Sequence, residues 1–169
     1  VTRIAKRMFN VSISLVTLID EDRQWFKSKQ GLDAPELPRE TSFCGHTINQ
    51  DELLIIPDTA QDERFFDNPF VTGDPKVRFY AGFPLKLREG VIIGTLCLAD
   101  SKPRQLNDEE KQLLRDLGTL VEREIQSVQL ATIDELTRIS NRRGFLNLAE
   151  HTLNVCRRNK VSMSFILFD

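Results

Sequence analysis

The chain has 169 residues, 40% hydrophobic and 28% charged, the balance of a globular protein that can bury a core, and its length fits one domain plus part of a second. Its 23 Lys and Arg against 25 Asp and Glu leave a formal net charge of -2, which disfavours general nucleic-acid binding, and no apolar run reaches the roughly 20 residues that span a bilayer, so no membrane contact is expected. Three scattered cysteines, Cys44, Cys97 and Cys156, are too few for a disulfide framework, and a reducing, cytoplasmic compartment is expected.

Arg3 to Phe9 reads as a helix end. Val11 to Ile19 alternates but grows apolar on both faces, as a central strand does. Asp20 to Arg23 makes a turn, and Trp25 to Gln30 is a candidate hairpin partner. From Leu32 to Lys76 the chain is irregular, with Pro35, Pro38, Pro57, Pro69 and Pro75 among short apolar patches. These aromatics either cap the open face of a sheet or wall a ligand pocket on it. Leu53 to Ile56, Phe79 to Leu87 and Val91 to Ala99 are further strands. The last two join at Arg88-Glu-Gly90, where Gly90 can supply the positive φ of a tight hairpin.

All seven prolines lie at or before Pro103, so the remainder can hold long helices. Asn107 is an N-cap and Glu110 its reciprocal capping-box partner, opening a helix over 107–133. Leu114, Leu117, Val121, Ile125 and Val128 form an apolar stripe that Leu113 and Leu120 widen. Its first half is expected to pack on the domain's own sheet and its second on a partner helix, giving a homodimer through the helix 107–133. A second helix, Arg142 to about Asn159, precedes a candidate buried strand, Val161 to Phe168. Such a strand needs neighbours to pair its backbone groups, so the chain is expected to be a piece of a longer polypeptide.

The first 130 or so residues resemble the GAF family of small-molecule sensor domains. The likeness rests on Arg3 to Phe9 leading into the first strand, on Thr41-Ser-Phe-Cys-Gly-His-Thr-Ile48, and on Asp58-Thr-Ala-Gln-Asp-Glu-Arg-Phe65. It continues through Asn68-Pro-Phe-Val71, Val77-Arg-Phe-Tyr-Ala-Gly-Phe-Pro-Leu85 and Ile93-Gly-Thr-Leu-Cys-Leu-Ala-Asp100. The implied fold is α+β, an antiparallel sheet with flanking helices and a ligand pocket, plus a C-terminal helix and a partial second domain. The rest resembles the opening of a GGDEF-type diguanylate cyclase domain, through Asp134-Glu-Leu-Thr137 and Asn141-Arg-Arg143. Arg138 stands where a glycine is common, and Ile139 where a leucine is. The expected division is a GAF domain over 1–128, a signalling linker over 129–140 and an incomplete GGDEF domain over 141–169. Asp169 resembles the first metal-binding carboxylate of such cyclases, and the complete domain would use GTP and Mg. This stretch alone is expected to bind no cofactor and to catalyse nothing.

The sensor reading needs an unidentified small-molecule ligand. Phe43, Phe70 and Phe79 are the candidate apolar walls and His46, Asp58, Arg78 and Tyr80 the candidate polar groups. The asparagine, lysine, phenylalanine and acid set of cyclic-nucleotide-binding members is missing, so cyclic GMP is not favoured. Cys44-Gly45-His46 also leaves open a nucleophilic pair, a metal site or tetrapyrrole attachment, against a small buried thiol. Cys97, between Leu96 and Leu98, reads as core. A close Cys44 and Cys97 pair would instead suit a GAF-like redox enzyme, and a purely structural dimerisation domain is a further alternative.

Overall fold

The structure, a computed structural model, describes residues 1–87, 90–130, 132, 134, 137 and 139–166, and at 129 and 130 the backbone alone. Arg88 and Glu89 of the expected turn, Glu135, Leu136 and Arg138 of the second motif, and Leu167, Phe168 and Asp169 lie outside the described residues. The chain divides into two compact units, Val1–Arg123 and Glu124–Asp169.

The first unit is built on a six-stranded antiparallel sheet. Its strands are β1 (Ile13–Ile19), β2 (Arg23–Gln30), β3 (Glu36–Pro38), β4 (Leu54–Ile56), β5 (Phe79–Lys86) and β6 (Ile92–Asp100), in the order β3-β2-β1-β6-β5-β4. β1 lies between β2 and β6, which is why it needs apolar or small residues on both faces: Ile13 to Thr17 are all buried. Only β3, an edge of three residues, is not legible in the sequence, because Pro35 and Pro38 hide it. The β5–β6 hairpin runs from the pair Phe79 and Asp100 to Lys86 and Ile92, and Gly90 has φ 76, the positive value the tight turn requires.

Alternation along the strands gives the sheet two unlike faces. Val16, Phe79, Ala81, Leu85, Leu96 and Leu98 are buried on one. α1 (Thr2–Phe9) buries Ala5 and Phe9, and α4 (Asp108–Leu130) buries Leu114, Leu117 and Val121. α4 starts as expected: Asn107 N–H donates to Glu110 Oε2 at 3.0 Å, and Glu110 N–H to Asn107 Oδ1 at 2.8 Å. Arg104 ties the two helices, donating to the Phe9 carbonyl and to Glu110. Gly118 lets α4 approach β5 closely, since a Cβ there would sit 2.2 Å from Cδ1 of Phe83. The outer part of the stripe is not covered in the chain: Leu120 and Val128 are exposed.

Across the other face lie α2 (Phe43–Thr47) and α3 (Pro69–Thr72), so the irregular stretch carries short helices. Asn68 caps α3, accepting from Phe70 N–H at 2.9 Å, and donates to the Thr41 carbonyl at 3.0 Å, holding α3 to the approach to α2.

In the second unit α5 (Arg142–Asn159) is capped by Asn141, which accepts from Gly144 N–H at 3.0 Å. Asp134 Oδ1 accepts from Thr137 N–H at 2.9 Å and from its hydroxyl at 2.8 Å, and Asn141 N–H donates to the Thr132 carbonyl at 2.9 Å. The polar residues of the second motif therefore close a turn onto the start of α5. Arg157 and Arg158 in the last turn face the negative end of the helix dipole. The strand expected from Val161 is not formed over 161–166: a strand is defined by its ladder partner, and none is present for it among the described residues.

Candidate functional site

The face opposite α1 and α4 is built in rows set by strand register. Leu15 pairs with Cys97 and Cys97 with Gly82; Ile13 pairs with Ala99 and Ala99 with Tyr80; Thr17 pairs with Thr95 and Thr95 with Pro84. Gly82 leaves a gap beside Cys97, and the Tyr80 ring folds into it: a Cβ on Gly82 would lie 2.4 Å from Tyr80 Oη and 2.8 Å from Thr47 Oγ1. The result is a floor of small and apolar groups with a phenol laid across it.

α2 covers this floor. Ser42 is its N-cap, accepting from Gly45 N–H at 3.2 Å. One turn of helix then sends Phe43, Cys44 and Thr47 inward and Gly45 and His46 outward. Between α2 and the sheet is a cavity of about 60 Å3 lined by apolar side chains, among them Ile13, Leu15, Leu37, Phe70 and Val77, and by Gln24, Ser42, Cys44, Tyr80 and Cys97. At the 10–15 Å3 a water needs, this space takes a group of about four water-sized units.

Its polar atoms are engaged with one another. Gln24 Nε2 donates to Cys44 Sγ at 3.2 Å, while its Oε1 accepts from the Ser42 hydroxyl. Tyr80 Oη donates to Cys44 Sγ at 3.4 Å and lies 2.7 Å from Thr47 Oγ1. The Sγ atoms of Cys44 and Cys97 are 3.6 Å apart, and both cysteines are buried. Burial pushes the Cys44 thiol up, but hydrogen bonds from Cys97, Thr95, Tyr80 and Thr17 outweigh it and hold Cys44 below the ordinary thiol range. Cys97 is pushed well above that range by its bond to Cys44 and by burial, and the Tyr80 phenol is raised by burial and by the two sulfurs. The two thiols are thus unequal, with Cys44 the more acidic.

Of the residues expected at the site, Phe43, Cys44, Phe70 and Tyr80 come together at the cavity. Phe43 stacks on Tyr80 with ring centroids 5.2 Å apart. Phe79 does not join them: one residue before Tyr80 on β5, it faces the helical side and is fully buried. Nor does His46, because residues two apart on a helix face apart, so Cys44 and His46 do not form a nucleophile pair. His46 packs edge-on against Phe65 at 4.7 Å and lines an open groove of about 340 Å3 with Glu21, Asp22, Arg39, Glu40, Gly45 and Asn49. Desolvation, helped by Arg64, holds its pKa below the usual histidine value.

Asp58 and Arg78 pair with each other, Nε to Oδ1 at 2.7 Å and Nη2 to Oδ2 at 2.6 Å, and Asp58 also accepts from Ala60 N–H at 3.2 Å. The Arg78 guanidinium holds the Asp58 carboxyl below the usual range. Both groups are engaged away from the cavity. Gln24, Ser42 and Thr47 are not found by sequence reasoning: each is a polar residue next to a break in pattern, and only its placement under α2 reveals its part. No group of three or more His, Cys, Asp or Glu able to hold a metal occurs among the described residues. Among them, too, no helix is long and apolar enough to cross a membrane.

A family model described as GAF domain matches residues 1–125. A cyclic di-GMP phosphodiesterase of Pseudomonas aeruginosa is 39% identical over 140 residues, 82% of this chain and 24% of that protein, so the chain spans about a quarter of that relative's length. Among solved structures, the GAF domain of an Acinetobacter phosphoenolpyruvate-protein phosphotransferase is similar at 16% identity and TM-score 0.62, covering 77% of this chain and 80% of that one. A free methionine-R-sulfoxide reductase of Neisseria meningitidis, solved with its substrate, is similar at 18% identity and TM-score 0.64, covering 77% and 76%. At such identities the structural likeness shows the fold alone.

Proposed function

Since the chain belongs to the GAF domain family, we propose that it is the small-molecule-sensing module of a protein of cyclic di-GMP turnover, relaying occupancy of the cavity beneath α2 to an output domain through α4. The observation that carries this reading is the cavity itself: an apolar space with a few oriented polar atoms, from Gln24, Ser42, Cys44 and Tyr80, under a short helix on a rigid sheet. The ligand is a small, largely apolar molecule with one or two hydrogen-bonding atoms. It enters by displacing α2 and Phe70. β5 gives the relay its path, since Tyr80 and Gly82 border the cavity while Phe83, next in the chain, lies under Gly118 of α4. A ligand shifts such a switch only by binding one arrangement better than the other.

The turn closed by Asp134, Thr137 and Asn141 supports a GGDEF-type domain following α4. In the full protein that domain is a diguanylate cyclase using GTP and Mg, with Asp169 among its metal carboxylates. The chain acts in the cytoplasm as a homodimer through α4, whose exposed Leu120 and Val128 supply apolar contact area, and on its own makes no cyclic dinucleotide. The relative's name supports a second reading of the output, breakdown rather than synthesis of cyclic di-GMP.

A thermal-shift screen tests the sensor reading, because a molecule that binds only the native state must raise the melting temperature. Compounds that raise it should lose their effect in Ala99→Val, which fills the cavity floor. Stabilisation that survives Ala99→Val unchanged places the ligand elsewhere and overturns the assignment. Assay of the full-length protein with GTP and with cyclic di-GMP separates synthesis from breakdown, and a rate unaffected by any cavity ligand defeats the relay.

A further inference from the structure

We propose that Cys44 and Cys97 are a dithiol site that a small hydroperoxide oxidises to a disulfide, joining α2 covalently to β6. The inference takes the cavity as the sensing site and names the chemistry of one class of molecule entering it. Three observations carry it. The sulfurs already stand 3.6 Å apart, so a bond of about 2.05 Å requires an approach of about 1.5 Å, within reach of side-chain rotation and a small shift of a one-turn helix. Both thiols line a cavity of about 60 Å3, room for a molecule of two oxygen atoms, which needs about two water volumes. Gln24 Nε2 and Tyr80 Oη both point hydrogen-bond donors at Cys44 Sγ, favouring charge on that sulfur and leaving Cys97 as its resolving partner.

The reaction balances without any further component. The Cys44 sulfur attacks one oxygen of the hydroperoxide; the O–O bond breaks, an S–O bond forms, and the departing hydroxide or alkoxide takes the thiol proton and leaves as water or alcohol. Cys97 sulfur then attacks the sulfur of the Cys44 sulfenic acid. The S–S bond forms, the S–O bond breaks, and the hydroxide leaves as water with the Cys97 proton. Two thiols are oxidised by two electrons and one hydroperoxide is reduced; a small dithiol reverses the step by exchange. Because the linkage spans α2 and the central sheet, it removes the freedom of α2 to lift from the cavity.

The test uses the purified reduced chain treated with hydrogen peroxide, quenched, denatured, alkylated and digested. The expected product is a peptide joining Cys44 to Cys97, lighter by two hydrogens than the sum of the two free peptides, and lost again with dithiothreitol. In Cys97→Ser, and equally in Cys97→Ala if the serine form folds poorly, dimedone should label Cys44 at least about tenfold more than in wild type, because the resolving thiol is gone. Cys156, half-buried in the second unit, is the internal control, and Cys156→Ser should give the same crosslink. The proposal is overturned if Cys44 and Cys97 remain fully alkylatable at a dose that oxidises Cys156, or if dimedone labels Cys44 equally with and without Cys97. The thermal-shift screen reads a different property, so the cavity can bind a molecule while the dithiol fails, or the dithiol can close with no ligand found.

Discussion

The two faces of the sheet share the same strands but are packed on different terms. Under α1 and α4 the contacts are aliphatic, from Leu96, Leu98, Leu114, Leu117 and Val121, with helix and sheet brought close by Gly118. Under α2 the same strands offer Thr17, Thr95, Cys97, Gly82 and Tyr80, and the cover is one turn of helix held by hydrogen bonds from Ser42, Gln24 and Thr47. Dense apolar packing stabilises a domain, while a small cover resting on side-chain hydrogen bonds opens at lower cost. Stability and responsiveness are thus assigned to opposite sides of one sheet.

The largest break in that division should come from Leu114→Ala on the helical face. The side chain is fully buried, and its loss should cost about 2–5 kcal/mol, read as a lower denaturant midpoint. Gly118→Ala comes next. Alanine favours a helix by about 1 kcal/mol, yet its Cβ would meet three ring atoms of Phe83 within 2.6 Å. The clash should win, with a net loss of about 1–3 kcal/mol. On the other face Thr47→Val removes one partner of the Tyr80 hydroxyl and should cost only about 1 kcal/mol. It should also speed amide exchange in α2 selectively. If Thr47→Val costs as much as Leu114→Ala, the two faces are not different in kind.

The smallest effect lies at Asp58 and Arg78, outside both faces. Arg78 holds the folded-state pKa of Asp58 below its unfolded value of about 3.9. This contribution is present above the unfolded value and is lost as pH falls through the folded one. Melts from about pH 6 down to about pH 3 should therefore show a shallower decline in Arg78→Ala than in wild type. Identical slopes would mean that the pair has no part in acid sensitivity.

Much of the scaffold is legible in the sequence because its signals are local. The double-sided burial of β1, the hairpin at Gly90 and the Asn107–Glu110 box each depend on residues a few positions apart. The site is legible only in part. Phe43, Cys44, Phe70 and Tyr80 can be named from composition, but the proximity of Cys44 and Cys97 depends on a helix docking across a sheet, with a separation of 53 positions in the chain. Nearness in sequence groups His46 and Phe79 with them, whereas helical and strand geometry turns such neighbours apart. Gln24 is hidden at the edge of a turn, where a glutamine has no pattern to betray a buried bond to sulfur.

The seating of Gly118 on Phe83 also governs how the chain can be cut and joined. With that contact fixed, the rotational phase of every later residue of α4 is set, and each residue inserted after it turns the downstream segment by about 100°. Fusions that exchange this segment should retain function at junctions spaced by about seven residues and lose it between them. The helix thus carries a phase as well as a length, and Gly118 is its zero mark.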